Sequence, residues 1–357
     1  MPRFFCTFSY VKNILIYIYS LLSIVTIGQN QVPNGSFENY VACPTAAAFY
    51  QVTPWCGLAG GEEAYNVCFS ILYGGGGFGV PDNTTGFQYP RTGNGFGSVA
   101  LKAVGSGTIT AERREYLHVP LINNLQAGKL YCATMFVNLI NDGKYTTDRI
   151  GMALTSNSYA CNQAMPSPQS ITPLPIVPQV ANTLGNFITD TLNWIEVSGT
   201  FTATGTEAYL TIGNFYDDAN TSNIVRSGTR TFIYFFIDDV SIEEVFPAKA
   251  KNDTLIYQGD STIIGNNTSE AAMFSWQPTA GLSCTNCPNP KASPSVTTTY
   301  TVTKTQCKAV TSDVITVTVS PTGIEDLSYL SNVVRVSPNP THDILNVDIS
   351  TSPDSYR

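Results

Sequence analysis

The chain has 357 residues, of which only 12% are charged, and a formal net charge of -8. That length exceeds what one hydrophobic core usually serves, so two or more domains are expected. Scattered Lys and Arg leave no basic face for a polyanion, which excludes nucleic acid as an expected partner.

The first 28 residues read as a secretory signal peptide. Arg3 and Lys12 flank a positive start, Ile14 to Ile27 is almost wholly apolar, and Thr26-Ile27-Gly28 places small residues at a cleavage site. Fourteen apolar residues fall short of the roughly twenty that span a bilayer, and no later segment is apolar enough. The mature chain is therefore expected to begin near Gln29, without a transmembrane segment, as a secreted or outer-surface protein. Cys6 leaves with the signal. The remaining Cys43, Cys56, Cys68, Cys132, Cys161, Cys284, Cys287 and Cys307 read as disulfides in an exported chain. Five precede residue 247 and three follow it, so either one bridge joins the halves or two thiols stay free.

From residue 31 to about 246 the pattern is one of short alternating strands: Ser98–Ala103, Leu130–Leu139, Arg149–Thr155, Trp194–Thr202, Glu207–Ile212 and Phe232–Val245. Gly, Asn and Pro clusters separate them, and no helical stretch intervenes. This predicts an antiparallel sandwich. The stretch from Pro166 to Pro178 holds five prolines and reads as a surface excursion. A second unit, 247–320, alternates at Thr254–Tyr257, Ser261–Ile264, Ala272–Trp276, Thr298–Lys304 and Asp313–Val319, enough for a small sandwich. The fold class expected throughout is all-β.

Three resemblances sharpen this reading. The opening Val32-Pro33-Asn34-Gly35-Ser36-Phe37-Glu38 and the closing Tyr234-Phe235-Phe236-Ile237-Asp238-Asp239-Val240-Ser241-Ile242 resemble the first and last strands of galactose-binding-like jelly rolls of carbohydrate-binding modules. Arg114-Glu115-Tyr116, Ala127 to Tyr131 and Tyr209 to Phe215 resemble a subgroup of these found in exported proteins of bacteria with type IX secretion. Trp276 to Cys284, Cys287-Pro288-Asn289-Pro290 and Thr297 to Thr303 resemble the polycystic-kidney-disease-like, immunoglobulin-type repeats that serve as spacers. Val336-Ser337-Pro338-Asn339-Pro340 with Asp343-Ile344-Leu345-Asn346-Val347 is similar to the start of a type A C-terminal sorting domain. Such domains continue for several more strands, so 333–357 resembles a truncated one, and the secretion machinery is an implied partner.

The first resemblance implies a structural calcium ion where the first and last strands of the jelly roll meet, at Glu38 with Asp238 or Asp239. Strand alternation lets only one of those two Asp face the site, and Asp239 is the favoured one. The second implies a local bridge between Cys284 and Cys287, in agreement with their Pro- and Asn-rich loop in an exported chain. A zinc site there lacks further ligands at suitable spacing.

Catalytic constellations are scarce. His118 is the only candidate base outside the sorting motif, with His342 inside it, and reads as a polar strand-edge residue. Glu112 with Glu115, Asp217 with Asp218 and Glu243 with Glu244 read as solvated turn or edge charges. Gly74, Gly76 and Gly79 formally match a dinucleotide loop, but no strand-turn-helix unit surrounds them, and a loop over one face is expected.

Aromatic residues carry the binding hypothesis. Trp55, Tyr65, Tyr73, Phe78, Phe87, Tyr89 and Phe96 crowd one Gly-rich region, and sugar rings dock on such faces. Trp55, Tyr73, Phe78 and Tyr89 are the expected ligand contacts, against the alternative that most of the seven pack under long loops. The function expected is non-catalytic binding or adhesion to a glycan or surface polymer. A purely structural surface scaffold and an accessory module of a carbohydrate-active enzyme are the alternatives.

Overall fold

The computed structural model describes residues 29–45, 49–59, 61–104, 114–161, 172–268 and 272–321, and the backbone of 334–337 and 346–349. The signal peptide, Glu112, Pro166, His342 and Pro338 to Leu345 lie outside the described residues. The chain divides into two compact units, one running to Phe246 together with Gln306–Ala309, the other formed by Pro247–Thr305 and the chain from Val310 onward.

In the first unit the elements are β1 (Cys56–Gly57), β2 (Glu63–Asn66), α1 (Val67–Tyr73), β3 (Asp82–Asn83), β4 (Gly86–Phe87), β5 (Gly95–Ala103) and β6 (Tyr116–Pro120). They are followed by β7 (Leu130–Leu139), β8 (Tyr145–Thr147), β9 (Gly151–Thr155), β10 (Val180–Ala181), β11 (Ile195–Thr202), β12 (Tyr209–Gly213), β13 (Asn223–Val225) and β14 (Phe232–Glu244). Two five-stranded antiparallel sheets form a jelly-roll sandwich, ordered β1-β6-β12-β9-β10 and β11-β7-β14-β5-β2. Their inner faces supply the core by strict alternation: Leu117, Val119, Leu210, Ile212, Met152 and Leu154 from the first sheet, Val99, Leu101, Met135, Val137, Phe235 and Ile237 from the second.

Both outer faces are covered as well. Tyr65, Phe96 and Phe236 on the outer face of the second sheet are packed by Val80, Phe78 and Trp194. On the outer face of the first, Tyr116 and Ala153 are covered by Tyr159, Leu174 and Ile176. The stretch from Leu174 to Pro178 is thus a cover, with Leu174 N–H donating to the Tyr116 hydroxyl at 3.2 Å.

Three disulfides belong to this unit: Cys43 with Cys68, Cys56 with Cys161, and Cys132 with Cys307, whose turn clusters with it. Among the described residues the eighth cysteine therefore has its partner, and no thiol is left over.

The second unit has a four-stranded sheet of β15 (Thr254–Tyr257), β17 (Met273–Gln277), β19 (Thr298–Gln306) and β20 (Ala309–Ser320), ordered β15-β20-β19-β17. A two-stranded sheet joins β16 (Thr262–Ile263) to β18 (Lys291–Ala292). Trp276, Tyr300, Ile264, Ile315 and Val317 form its core. Cys284 is bonded to Cys287, and the Trp276 indole donates to the Cys287 carbonyl at 3.0 Å. Near the C-terminus, β21 (Val334–Ser337) pairs antiparallel with β22 (Asn346–Ile349).

Candidate functional site

The segment joining β2 to β5 builds the candidate site. Asn66 caps α1 by accepting the Cys68 N–H at 2.9 Å, and the Cys43 bridge holds that short helix, none of whose residues is buried. The glycines at 74–77 then let the chain turn back over the sheet, and Ser70 Oγ fixes it by accepting from Val80 N–H and donating to Val80 O. The expected loop over one face is what forms.

Beneath it runs a chain of aromatic rings. Tyr73 packs on Phe69 at 4.9 Å between centroids, Phe69 on Phe78 at 5.9 Å, Phe78 on Tyr65 at 6.1 Å, Tyr65 on Phe96 at 5.2 Å and Phe96 on Trp194 at 5.7 Å. The Trp194 indole then donates to the Tyr89 carbonyl at 3.1 Å. Tyr73 and Tyr89, 63% and 62% exposed, are the open ends of this chain, while Phe78 is half-buried over Tyr65.

Trp55 does not belong to it. At 2% exposure it lies in the core against Phe37 and Phe49, and its indole N–H is shared by the Pro33 and Asn34 carbonyls at 3.0 Å each. The expectation of Trp55 as a ligand contact is corrected: a large indole with two backbone acceptors at hand gains more from burial than from solvent.

The exposed rim is Phe87 and Tyr89, with Leu192 beside it. Phe87 is 51% exposed and meets Tyr89 edge to face, with centroids 5.6 Å apart and planes at 88°. The rings present two perpendicular faces rather than one flat strip. Their backbone is fixed from below: Asn141 Oδ1 accepts Phe87 N–H at 2.6 Å, Asn141 Nδ2 donates to Thr191 O at 3.2 Å, and Gln88 Nε2 donates to Leu192 O at 3.4 Å. Gly86 allows this approach, since a Cβ there would lie 2.3 Å from Asn141 Oδ1. Asp190 holds the Leu192 and Asn193 N–H groups at 2.7 and 2.8 Å, and those bonds keep its carboxyl below the ordinary range. Asn141, Leu192 and Trp194 were missed from sequence because they reach the rim from distant loops.

Deeper on the same face, the Tyr65 hydroxyl donates to Glu63 Oε2 at 2.5 Å and Ser98 Oγ donates to that oxygen at 3.3 Å. Burial raises the Glu63 carboxyl despite those donors, and burial with the Glu63 charge pushes the Tyr65 phenol well up.

The metal candidates Glu38, Asp238 and Asp239 meet at one turn, 91–95. Asp239 lies in a bulge of the β14 to β7 register, between Asp238 and Ser241, and has φ 48°, so alternation is interrupted and both Asp residues reach the turn. The expectation that only one could do so is corrected. Glu38 Oε1 accepts Asn94 N–H at 2.8 Å and Gly95 N–H at 3.1 Å, and Oε2 accepts Asn94 Nδ2 at 3.2 Å. Asp238, fully buried, accepts the N–H groups of Arg91, Thr92 and Asp239 at 2.8, 3.4 and 2.7 Å. Asp239 accepts Ser36 Oγ at 2.6 Å, Thr92 Oγ1 at 2.5 Å and Arg91 Nη1 at 2.5 Å.

All six carboxylate oxygens thus face N–H or O–H donors. Calcium needs six to eight oxygens aimed at one point. This arrangement does not fit it, and among the described residues no group of three or more His, Cys, Asp or Glu is placed to hold a metal. Burial, and then the Asp239 charge, pushes Asp238 up to about 8 against its three N–H donors. Burial would also raise Asp239, but its bonds from Ser36, Thr92 and Arg91 outweigh that and hold it low.

His118 lies in β6, between β1 and β12, and is buried rather than at a strand edge. Its Nδ1 is 2.9 Å from Thr211 Oγ1, Tyr209 stacks on its ring, and Nε2 accepts the Tyr159 N–H at 3.3 Å. Burial lowers its pKa to about 4. A folded value below the ordinary one means that the unfolded chain binds the proton first, so this stabilisation is present above pH 6.5 and is lost as pH falls toward 4. The raised Asp238 and Glu63 act in the opposite sense, favouring the fold at low pH. His118→Gln is therefore expected to remove about 2 kcal/mol of the stability lost by wild type between pH 7 and pH 5, read from urea midpoints at the two values. Equal losses in both proteins would contradict the assignment.

The paired acids are not all solvated either. Glu115 is fully buried with Oε2 accepting Ala100 N–H at 2.7 Å, and Asp218 pairs with the buried Arg114 at 2.7 Å. Asp217 fits the expectation, capping Asn220 N–H at 2.7 Å from an exposed turn. Glu244 pairs with Lys129 at 2.9 Å.

No protein-family model matches the chain, and no curated protein matches it. Among solved structures it is similar to the CBM22-1 xylan-binding domain of Paenibacillus barcinonensis Xyn10C, with 11% identity, a TM-score of 0.32 and coverage of 62% of this chain and 98% of that one. It is similar to the N-terminal cellulose-binding domain of Cellulomonas fimi β-1,4-glucanase C, with 13% identity, a TM-score of 0.25 and coverage of 57% and 99%. A third is the K1 cleaved adhesin domain of Lys-gingipain from Porphyromonas gingivalis W83, with 14% identity, a TM-score of 0.26 and coverage of 59% and 95%. At these scores the likenesses assign neither substrate nor partner to this chain.

Proposed function

We propose that the first unit is a non-catalytic module that binds a glycan or surface polymer across the Phe87 and Tyr89 rim. The observation that carries this reading is a pair of exposed aromatic rings on a backbone held rigid by Asn141, Gln88 and Trp194. Rigid aromatic faces beside amide groups offer a sugar apolar contact and hydrogen bonds at little ordering cost. The acid and base groups favour binding over catalysis: His118 is enclosed, and the Glu38, Asp238 and Asp239 oxygens are engaged within the fold.

In this reading the second unit is an immunoglobulin-type spacer, and the segment after it addresses the chain to type IX secretion. Four disulfides support an oxidising destination, and among the described residues no helix is long and apolar enough to cross a membrane.

Tyr89→Ala is expected to weaken retention on the bound polysaccharide by about 1–3 kcal/mol with an unchanged unfolding midpoint. Affinity electrophoresis checks the first and thermal denaturation the second. Undiminished retention would remove Tyr89 from the site.

A further inference from the structure

The turn at 91–95, which leads into β5, joins two distant parts of the first unit: the 36–38 segment and the bulged middle of β14. Nine hydrogen bonds from Ser36, Arg91, Thr92, Asn94, Gly95 and Asp239 satisfy the three carboxylates there. Gly93, at φ 64°, lets the turn close on Glu38, since a Cβ there would lie 2.3 Å from Glu38 Oε1. Asp239, whose carboxyl its hydrogen bonds hold low, needs a counter-charge. One side chain supplies it: the Arg91 guanidinium bonds Asp239 and lies 3.4 Å from the centroid of Phe136, the register partner of Asp238 on β7.

We propose that Arg91 is the resident cation of this junction, standing where a metal ion would otherwise tie the first and last strands together, so that the unit closes without metal. The physical argument is one of geometry. A divalent cation needs lone pairs converging on a point, whereas these diverge to N–H and O–H donors whose positive ends face the oxygens and would repel it. A guanidinium suits the site because it is planar, always charged, weakly hydrated and able to stack on an aromatic ring while bonding a carboxylate. Lysine, a compact point charge, would keep the ion pair and lose the planar stacking.

The test uses the full chain, refolded from chelator-treated material, with thermal midpoints in a chelator and in millimolar calcium chloride, alongside Arg91→Met and Arg91→Lys. Wild type is expected to hold its midpoint within about 1 °C in both solutions, and Arg91→Met to lower it by about 3–6 °C, with Arg91→Lys recovering part of the loss. A wild-type midpoint that rises with calcium, or an Arg91→Met variant as stable as wild type, overturns the proposal. Should Arg91→Met fail to fold, the calcium and chelator midpoints of wild type and the intermediate stability of Arg91→Lys still decide it.

Discussion

Trp55→Ala is expected to destabilise the first unit by about 3–5 kcal/mol, a drop in Tm of about 6–20 °C for a domain of this size. The side chain is 2% exposed and packs on Phe37 and Phe49 with centroids 5.0 and 6.4 Å away, so truncation opens a cavity among rings that cannot collapse into it. It also leaves the Pro33 and Asn34 carbonyls without their indole donor. Tyr89→Ala, at a 62% exposed position, is expected within about 0.5 kcal/mol of wild type. The pair separates two roles for aromatic residues that look alike in the sequence. A urea titration of both variants checks it, and a Trp55→Ala protein as stable as wild type would place the indole outside the core.

Loss of the Cys56 to Cys161 bridge is expected to cost at least as much. It closes a separation of 105 residues, and a loop of that size contributes about 4–5 kcal/mol in the chain-entropy account, between about 3–4 kcal/mol for Cys43 with Cys68 across 25 and about 5 kcal/mol for Cys132 with Cys307 across 175. The bridge also has a local consequence. Cys56 is the register partner of His118 on β6, and Cys161 ends the segment whose Tyr159 N–H covers His118 Nε2. In a double Ser variant that segment is released, water reaches the imidazole, and the burial that holds its pKa at about 4 is relieved. The expected results are a lowered unfolding midpoint and a His118 titration moved up toward the ordinary value, read by imidazole NMR shifts. A destabilised protein with an unmoved His118 titration would confine the bridge to an entropic role.

Much of the sandwich is legible from alternation, and its exceptions have physical causes. Leu130–Leu139 is recovered to the residue, because it alternates between a core face and a second face, and Phe232–Val245, a long apolar run, ends one residue late. Tyr116–Pro120 passes unnoticed: it is five residues long and ends on a proline, and its outward side chains are buried rather than solvated, Tyr116 under Leu174 and Ile176 and His118 under Tyr159. The helix Val67–Tyr73 is too short for a helical period to emerge, and its one signal is the Asn66 cap.

At the candidate site, the crowd of aromatic residues is visible in sequence and their division between core and rim is not. Trp55 and Tyr89 differ in what distant chain segments offer them, two backbone carbonyl acceptors in one case and a supporting loop in the other. Asp238 and Asp239 mislead for a related reason. Counting alternate residues presumes an unbroken strand, and the bulge at Asp239 turns both carboxylates onto Arg91 and Thr92.

The most direct measurement is retention of the full chain and its Tyr89→Ala variant on an array of immobilised plant, algal and bacterial polysaccharides, with the unfolding midpoint of each recorded beside it. The expected result is saturable binding of wild type to at least one polysaccharide, weakened about tenfold or more in the variant at an equal midpoint. Wild type bound by none of them, or variant and wild type bound equally, would contradict a glycan-docking rim at Phe87 and Tyr89.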